Sequence, residues 1–125
     1  MYSETLLLNA LVEIFDQPDL LSYVSLLLET RERADRFVEL KGSTITARTD
    51  GPWIEYVEIS SDTLPGRINL WPIGDDDNLY PTPKPGDKVW WSVDGMGYDK
   101  LYNPENRSTR TVDEALTCAI IHMMN

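Results

Sequence analysis

Apolar residues in the first part of the chain recur at the spacing of amphipathic helices. In residues 4–15 they follow the i, i+3, i+4, i+7 pattern that places one side of a helix against a core. Pro18 is favoured at the first position of a second helix, where its missing amide hydrogen costs nothing. The pattern predicts two helices, whose buried positions are Leu7, Leu8, Leu11, Ile14 and Phe15, and then Leu20, Leu21, Val24, Leu27 and Leu28.

The pattern changes to strand-favouring residues from Phe37 onward. Breaks at Gly42-Ser43 and Asp50-Gly51 predict an antiparallel meander of three strands, which ends near Ile59. In the third strand Trp53, Glu55, Val57 and Ile59 alternate with Ile54, Tyr56 and Glu58. Apolar side chains then fall on both faces, which is typical of a central strand.

Further strands are predicted beyond this meander. Residues 67–73 favour a fourth strand, which Pro72 ends at an edge or a bulge. Residues 87–93 and 96–102 favour a strand pair joined around Asp94-Gly95, a strong hairpin signal. The sheet should therefore contain five or six strands.

A last helix has the clearest start in the chain. Thr111 and Glu114 have the spacing of a capping box, in which the two residues satisfy each other's backbone groups at a helix start. The apolar stripe that follows predicts a helix packed on the sheet, through Val112, Ala115, Leu116, Ala119, Ile120 and Met123. Together these patterns predict one α+β domain over residues 1–125: two N-terminal helices, an antiparallel sheet of five to six strands and one C-terminal helix packed on the sheet.

Composition limits the function classes. The 125 residues carry a formal charge of -10, which repels nucleic-acid phosphates and argues against DNA as a partner. No apolar run approaches the roughly 20 residues of a membrane-spanning helix. Residues 1–4 lack the basic start of a signal peptide, and the lone Cys118 forms no internal disulfide, so we expect a cytoplasmic protein.

Catalytic and metal-binding patterns are incomplete. Cys118 and His122 share one side of the last helix, as a nucleophile and its base would, but they border the apolar stripe near the helix end, where water is hard to exclude. The run from Asp75 to Asn78 lacks the alternating spacing of a calcium loop, and no zinc ligand set is present. We therefore expect no metal and no cofactor, and an enzyme using Cys118 and His122 is the last of our hypotheses.

Aromatic and basic residues in the second half suggest a ligand site. Adjacent Trp90 and Trp91 must face opposite sides of a strand, so one of them needs a cover or a ligand. Arg107 and Arg110 precede the last helix, whose free amide hydrogens favour anions. The alternatives are that the helices cover the aromatic residues and that the arginines pair with local acids, namely Glu105, Asp113 and Glu114.

The segments VWWSVDG, from Val89, and TRTVDEALTCAIIHMM, from Thr109, resemble the closing strand and helix of the phage ABA-sandwich family. The resemblance covers roughly the last third of the chain. It implies a non-enzymatic accessory protein of a phage or mobile element, a class in which some members sequester nucleotide signals and others cover a defence protein.

Two functions follow as hypotheses. The first is an anti-defence factor that sequesters a nucleotide-like anionic molecule or inhibits a host protein; its ligand contacts would be Trp71, Tyr80, Trp90, Trp91, Arg107 and Arg110. The second is a toxin-immunity protein or other protein inhibitor, which would meet a basic protein surface through Asp75, Asp76, Asp77 and Tyr80. A homo-oligomer is compatible with either, because an uncovered aromatic face can be buried against a second copy.

Overall fold

The structure is a computed structural model, and it describes residues 4–30, 37–40, 42–50, 53–72, 89–95 and 110–124. It confirms the predicted α+β class, with two N-terminal helices, an antiparallel sheet of five strands and a C-terminal helix that packs on the sheet. The elements are α1 (Glu4–Phe15), α2 (Pro18–Thr30), β1 (Phe37–Leu40), β2 (Ser43–Asp50), β3 (Trp53–Ser61), β4 (Arg67–Pro72), β5 (Val89–Asp94) and α3 (Val112–Met124).

The sheet is an antiparallel meander in the order β1-β2-β3-β4-β5. β3 is the central strand of the sheet, as predicted. The turn between β1 and β2 contains Gly42 at a φ of 78°, a left-handed conformation that glycine adopts without steric cost. The sixth strand predicted at residues 96–102 lies outside the described residues.

A β-bulge in β3 changes the face on which Ile54 lies. Arg48 pairs with Tyr56 and Thr49 pairs with Ile54, so Glu55 is the extra residue of the bulge. Ile54 therefore falls on the same face as Val57, and it is buried. The simple alternation predicted opposite faces for these two residues and was wrong, because a bulge shifts the two-residue period by one position.

The three helices form one layer on one face of the sheet. α3 packs against β4 and β5, α2 packs against β3, and α1 packs against both other helices. Between the helices and the sheet, the described residues form one apolar cluster, whose fully buried members include Ile14, Leu20, Ile59, Leu70 and Ile120. No helix in the described part of the chain is long and apolar enough to cross a membrane.

The start of α3 is fixed by side-chain and backbone hydrogen bonds. Glu114 Oε1 accepts from the Thr111 amide at 3.1 Å, which confirms the predicted link between these residues. Thr111 Oγ1 lies 2.6 Å from Asp113 Oδ1 and 2.7 Å from Glu114 Oε1, so its proton can serve either carboxylate. This hydroxyl holds the pKa of both carboxyls below their usual values. Both acids are therefore ionised at neutral pH.

Candidate functional site

The sheet face opposite the helices, here called the far face, carries a row of aromatic side chains. Trp71 of β4 pairs in register with Trp90 of β5, and the ring of Tyr56 of β3 stacks on Trp71. The two stacked rings have centroids 4.4 Å apart and an interplanar angle of 28°. All three side chains are partly exposed. We call Tyr56, Trp71 and Trp90 the aromatic row.

A hydrogen bond fixes the orientation of Trp71. Its indole Nε1 donates to Ser92 Oγ at 3.1 Å. Ser92 is fully buried, so this acceptor is shielded from competing water. With the stacked Tyr56 ring on one side, the bond leaves the Trp71 indole little rotational freedom, which is the property of a preformed aromatic binding surface.

A buried amide lies beside the aromatic row. Asn69 is 2% exposed, and its Nδ2 donates to Ser92 Oγ at 3.3 Å and to Asp94 Oδ2 at 3.4 Å. The second bond fixes the amide orientation, because a reversed amide would place its oxygen against the carboxylate. Asn69 Oδ1 then accepts no hydrogen bond from any residue that the structure describes. A buried acceptor without a donor costs free energy, and the same burial shields this oxygen from a ligand on the far face.

Two ion pairs flank the buried amide. Arg48 donates to Glu58 at 3.0 Å, and Arg67 Nε donates to Asp94 Oδ1 at 2.8 Å. Arg67 also lies 3.7 Å from the second oxygen of Glu58, so that carboxylate, only 13% exposed, has a guanidinium on each side. The arginine side chains are 51% and 47% exposed. The far face thus combines aromatic rings with two accessible guanidinium groups.

The predicted ligand residues fall on both sides of the sheet. Trp71 and Trp90 lie together on the far face, whereas Trp91 pairs with Leu70 on the helix side and is buried. The opposite orientations predicted for the two adjacent tryptophans are confirmed. Tyr80 and Arg107, and the acidic positions Asp75, Asp76 and Asp77, lie outside the described residues.

Arg110 lies on the helix side of the sheet. Its backbone pairs with Val89, through hydrogen bonds of 2.7 and 3.1 Å, and directly paired residues project to the same face. Val89 belongs to the core, and Arg110 lines a groove with Asp113 and Glu114. The structure therefore does not bring Arg110 to Trp71 or Trp90.

Cys118 and His122 also belong to the helix side. Cys118 is partly buried against the core and lines the same groove as Arg110. The ring of His122 lies against Trp91, with centroids 6.4 Å apart and an interplanar angle of 58°. The described residues contain no group of three or more His, Cys, Asp or Glu side chains that could hold a metal ion.

Several residues of the far face were not predicted from the sequence, among them Arg48, Tyr56, Arg67 and Asn69. Tyr56 had a usable signal, since it is out of phase with Val57 and Ile59 and so points away from the core. Its contact with Trp71 had no signal in the sequence, because cross-strand partners depend on the register of strands that are separate in sequence.

Comparison with known proteins does not extend this description. No known family matches the chain, and neither the curated proteins nor the solved structures give a match.

Proposed function

We propose that this protein is a non-enzymatic binding protein that sequesters a planar, anionic, nucleotide-like molecule on the far face of its sheet. The observation that carries the proposal is the aromatic row, in which Trp71 is held by Tyr56 and Ser92 beside Trp90. The resemblance of the C-terminal third to phage accessory proteins suggests an anti-defence role for such sequestration.

Stacking supplies the affinity for a planar group. A base on an aromatic side chain contributes about 1–3 kcal/mol, and it does so for any base because each has a π face. Trp71 is already oriented by its hydrogen bond to Ser92, so ligand binding costs little side-chain conformational entropy. Such a surface favours a small planar ligand over a flexible aliphatic one.

The guanidinium groups supply the preference for an anion. Arg48 pairs in register with Tyr56, one end of the aromatic row, and half of its side chain is exposed. A guanidinium is always charged and matches the geometry of a phosphate, so a half-exposed arginine side chain beside the aromatic row favours an anionic ligand. The charge of -10 disfavours long polyanions at a distance, which fits a small ligand better than a nucleic-acid strand.

The test is calorimetric titration with linear and cyclic nucleotides, comparing the protein with two Tyr→Leu variants. Tyr56→Leu removes one ring of the aromatic row, and Tyr23→Leu removes a 37% exposed ring from α2 on the other side of the sheet. We expect Tyr56→Leu to weaken binding about tenfold, the equivalent of one stacking contact. Tyr23→Leu should leave the affinity unchanged. Equal losses in the two variants, or silence across all nucleotides, would overturn the proposal.

A second candidate is inhibition of a basic protein, as in toxin-immunity pairs. It is supported by the acidic charge of -10 together with large apolar side chains that the helices expose, which include Leu8, Val12 and Ile121. An association rate that falls steeply with added salt would support this function. A complex insensitive to salt would count against it.

A further inference from the structure

An apolar groove lies on the helix side of the protein, between α1, the start of α2 and α3. The groove has a volume of about 480 Å³. Leu11, Phe15 and Leu21 form the apolar part of its described lining. Arg110, Asp113, Glu114, Thr117 and Cys118 complete the described lining. We call this feature the helical groove.

The apolar surface continues beyond the groove along α1. Leu8 and Val12 are 60% and 61% exposed, and they lie one turn apart. With Leu11 and Phe15 they occupy the i, i+3, i+4 and i+7 positions of one helix side. The apolar arc of α1 thus extends past its core contact, which Ala10 and Ile14 provide together with the partly buried Leu11 and Phe15.

The opposite wall extends in the same manner along α3. Ile121 is 40% exposed and lies one turn after Thr117, a lining residue of the groove. Exposed apolar side chains therefore flank the groove on both α1 and α3. Exposed apolar side chains beside a groove are typical of a protein interaction site.

The charge of the helix layer is one-sided. The chain has 11 lysine and arginine residues, and none of them lies in α1, α2 or α3. The acidic residues of the three helices are Glu4, Glu13, Asp19, Glu29, Asp113 and Glu114. In the described lining of the groove, the acidic Asp113 and Glu114 outnumber the basic Arg110, which precedes α3. The partner that complements this surface is apolar and basic.

We propose that the helical groove docks a basic amphipathic helix of another protein. Side chains of α-helices wall the groove, so an incoming helix can place its apolar residues at i, i+3, i+4 and i+7 between them, while its lysines and arginines meet the carboxylates. Symmetric contact between the helix layers of two copies is disfavoured, because each layer carries the same acidic charge. The groove lies on the opposite side of the sheet from the aromatic row, so this site is independent of the ligand proposal.

The direct test uses a labelled synthetic peptide that carries leucines at helical spacing and lysines elsewhere, followed by fluorescence anisotropy. A peptide with the same composition but scrambled leucines, and one with glutamates in place of lysines, serve as controls. The protein should bind the first peptide at least about tenfold more tightly than either control. Equal binding of the scrambled peptide would mean non-specific charge attraction and would overturn the proposal.

Two matched variants locate the binding surface. Val12→Lys changes an exposed side chain beside the groove, and Leu26→Lys makes the same charge change at a 48% exposed position of α2 outside its lining. We expect Val12→Lys to weaken peptide binding about tenfold through lost apolar contact and added repulsion, and Leu26→Lys to weaken it far less. Similar losses in both variants would refute docking in the groove.

Cys118 provides an independent readout, because it is the chain's only cysteine and lines the groove. Saturating peptide should slow its alkylation by iodoacetamide severalfold, and Tyr56→Leu should not alter this protection. Unchanged alkylation with bound peptide would place the peptide elsewhere. Protection that instead rises with protein concentration alone, accompanied by a dimer in sedimentation, would assign the groove to a second copy and overturn the proposal.

Discussion

Replacement of Ser92 by alanine removes the hydrogen-bond acceptor that orients Trp71 and Asn69 on the far face. Ser92 Oγ receives hydrogen bonds from Trp71 Nε1 at 3.1 Å and from Asn69 Nδ2 at 3.3 Å. Alanine retains the β-carbon and the strand pairing, so the variant loses one oxygen atom and its two bonds. The matched control is Ser60→Ala in β3, where the serine is only partly buried.

The expected magnitude follows from the burial of the two donors. Asn69 is 2% exposed, so water cannot accept a hydrogen bond from the N–H that loses Ser92 Oγ. A buried donor left without an acceptor costs about 1–3 kcal/mol. Trp71 is partly exposed, and water can satisfy much of its indole N–H. We therefore expect Ser92→Ala to lower the free energy of unfolding by about 2 kcal/mol. Ser60→Ala should change it by less than about 0.5 kcal/mol.

Urea denaturation followed by far-UV circular dichroism measures this difference. With an m-value of about 2 kcal/mol/M, the Ser92→Ala midpoint should fall by about 1 M. The variant should also bind a nucleotide ligand less tightly, because Trp71 loses its fixed orientation. Equal unfolding midpoints for the two alanine variants would refute the role assigned to Ser92.

Three further variants test the fold. Gly95→Ala should lower the free energy of unfolding by about 1–2 kcal/mol in urea titration, because Gly95 has a φ of 74° and an added β-carbon would lie 3.2 Å from Arg67 Nε; an unchanged midpoint would contradict this. Ile59→Ala, in the fully buried centre of β3, should lower the free energy of unfolding by about 2–5 kcal/mol. A loss of less than about 1 kcal/mol would argue against the core position of Ile59. Thr111→Ala should lower the free energy of unfolding by about 0.5–2 kcal/mol at neutral pH. Thr111 holds the pKa of Glu114 below its usual value, so the stabilisation from ionised Glu114 is complete above the usual glutamate pKa and is lost as the pH falls through the depressed pKa. Parallel profiles of unfolding free energy against pH for wild type and variant would contradict this link.

Local signals in the sequence predicted most elements of the fold. The stripe from Glu4 to Phe15 and the position of Pro18 gave the helix bounds that the structure has, and Thr111 marked the start of α3. These features depend on residues within one turn of each other, so they can be seen without the tertiary structure. The bulge at Glu55 could not be seen, because it is defined by the partner strand and not by β3 alone.

The candidate site was less accessible to sequence reasoning than the fold. Trp71 and Trp90 were recognised as aromatic residues near strand ends, but their pairing depends on the register between β4 and β5. Arg110 was predicted to lie near these tryptophans because it precedes the helix that packs on the sheet. It pairs with Val89, however, and alternation along β5 places Val89 and Trp90 on opposite faces. Asn69 had no signal at all, because an unsatisfied acceptor is a property of its packed surroundings.

The most direct test of the far face as a ligand site is an NMR titration that follows the indole N–H signals of the chain's 4 tryptophans. Trp→Phe variants assign each signal to its residue. Linear and cyclic nucleotides serve as ligands. We predict that a bound nucleotide shifts the signals of Trp71 and Trp90 and leaves that of Trp91, on the helix side, unchanged. A shift confined to Trp91, or no shift with any nucleotide, would contradict a ligand site on the far face.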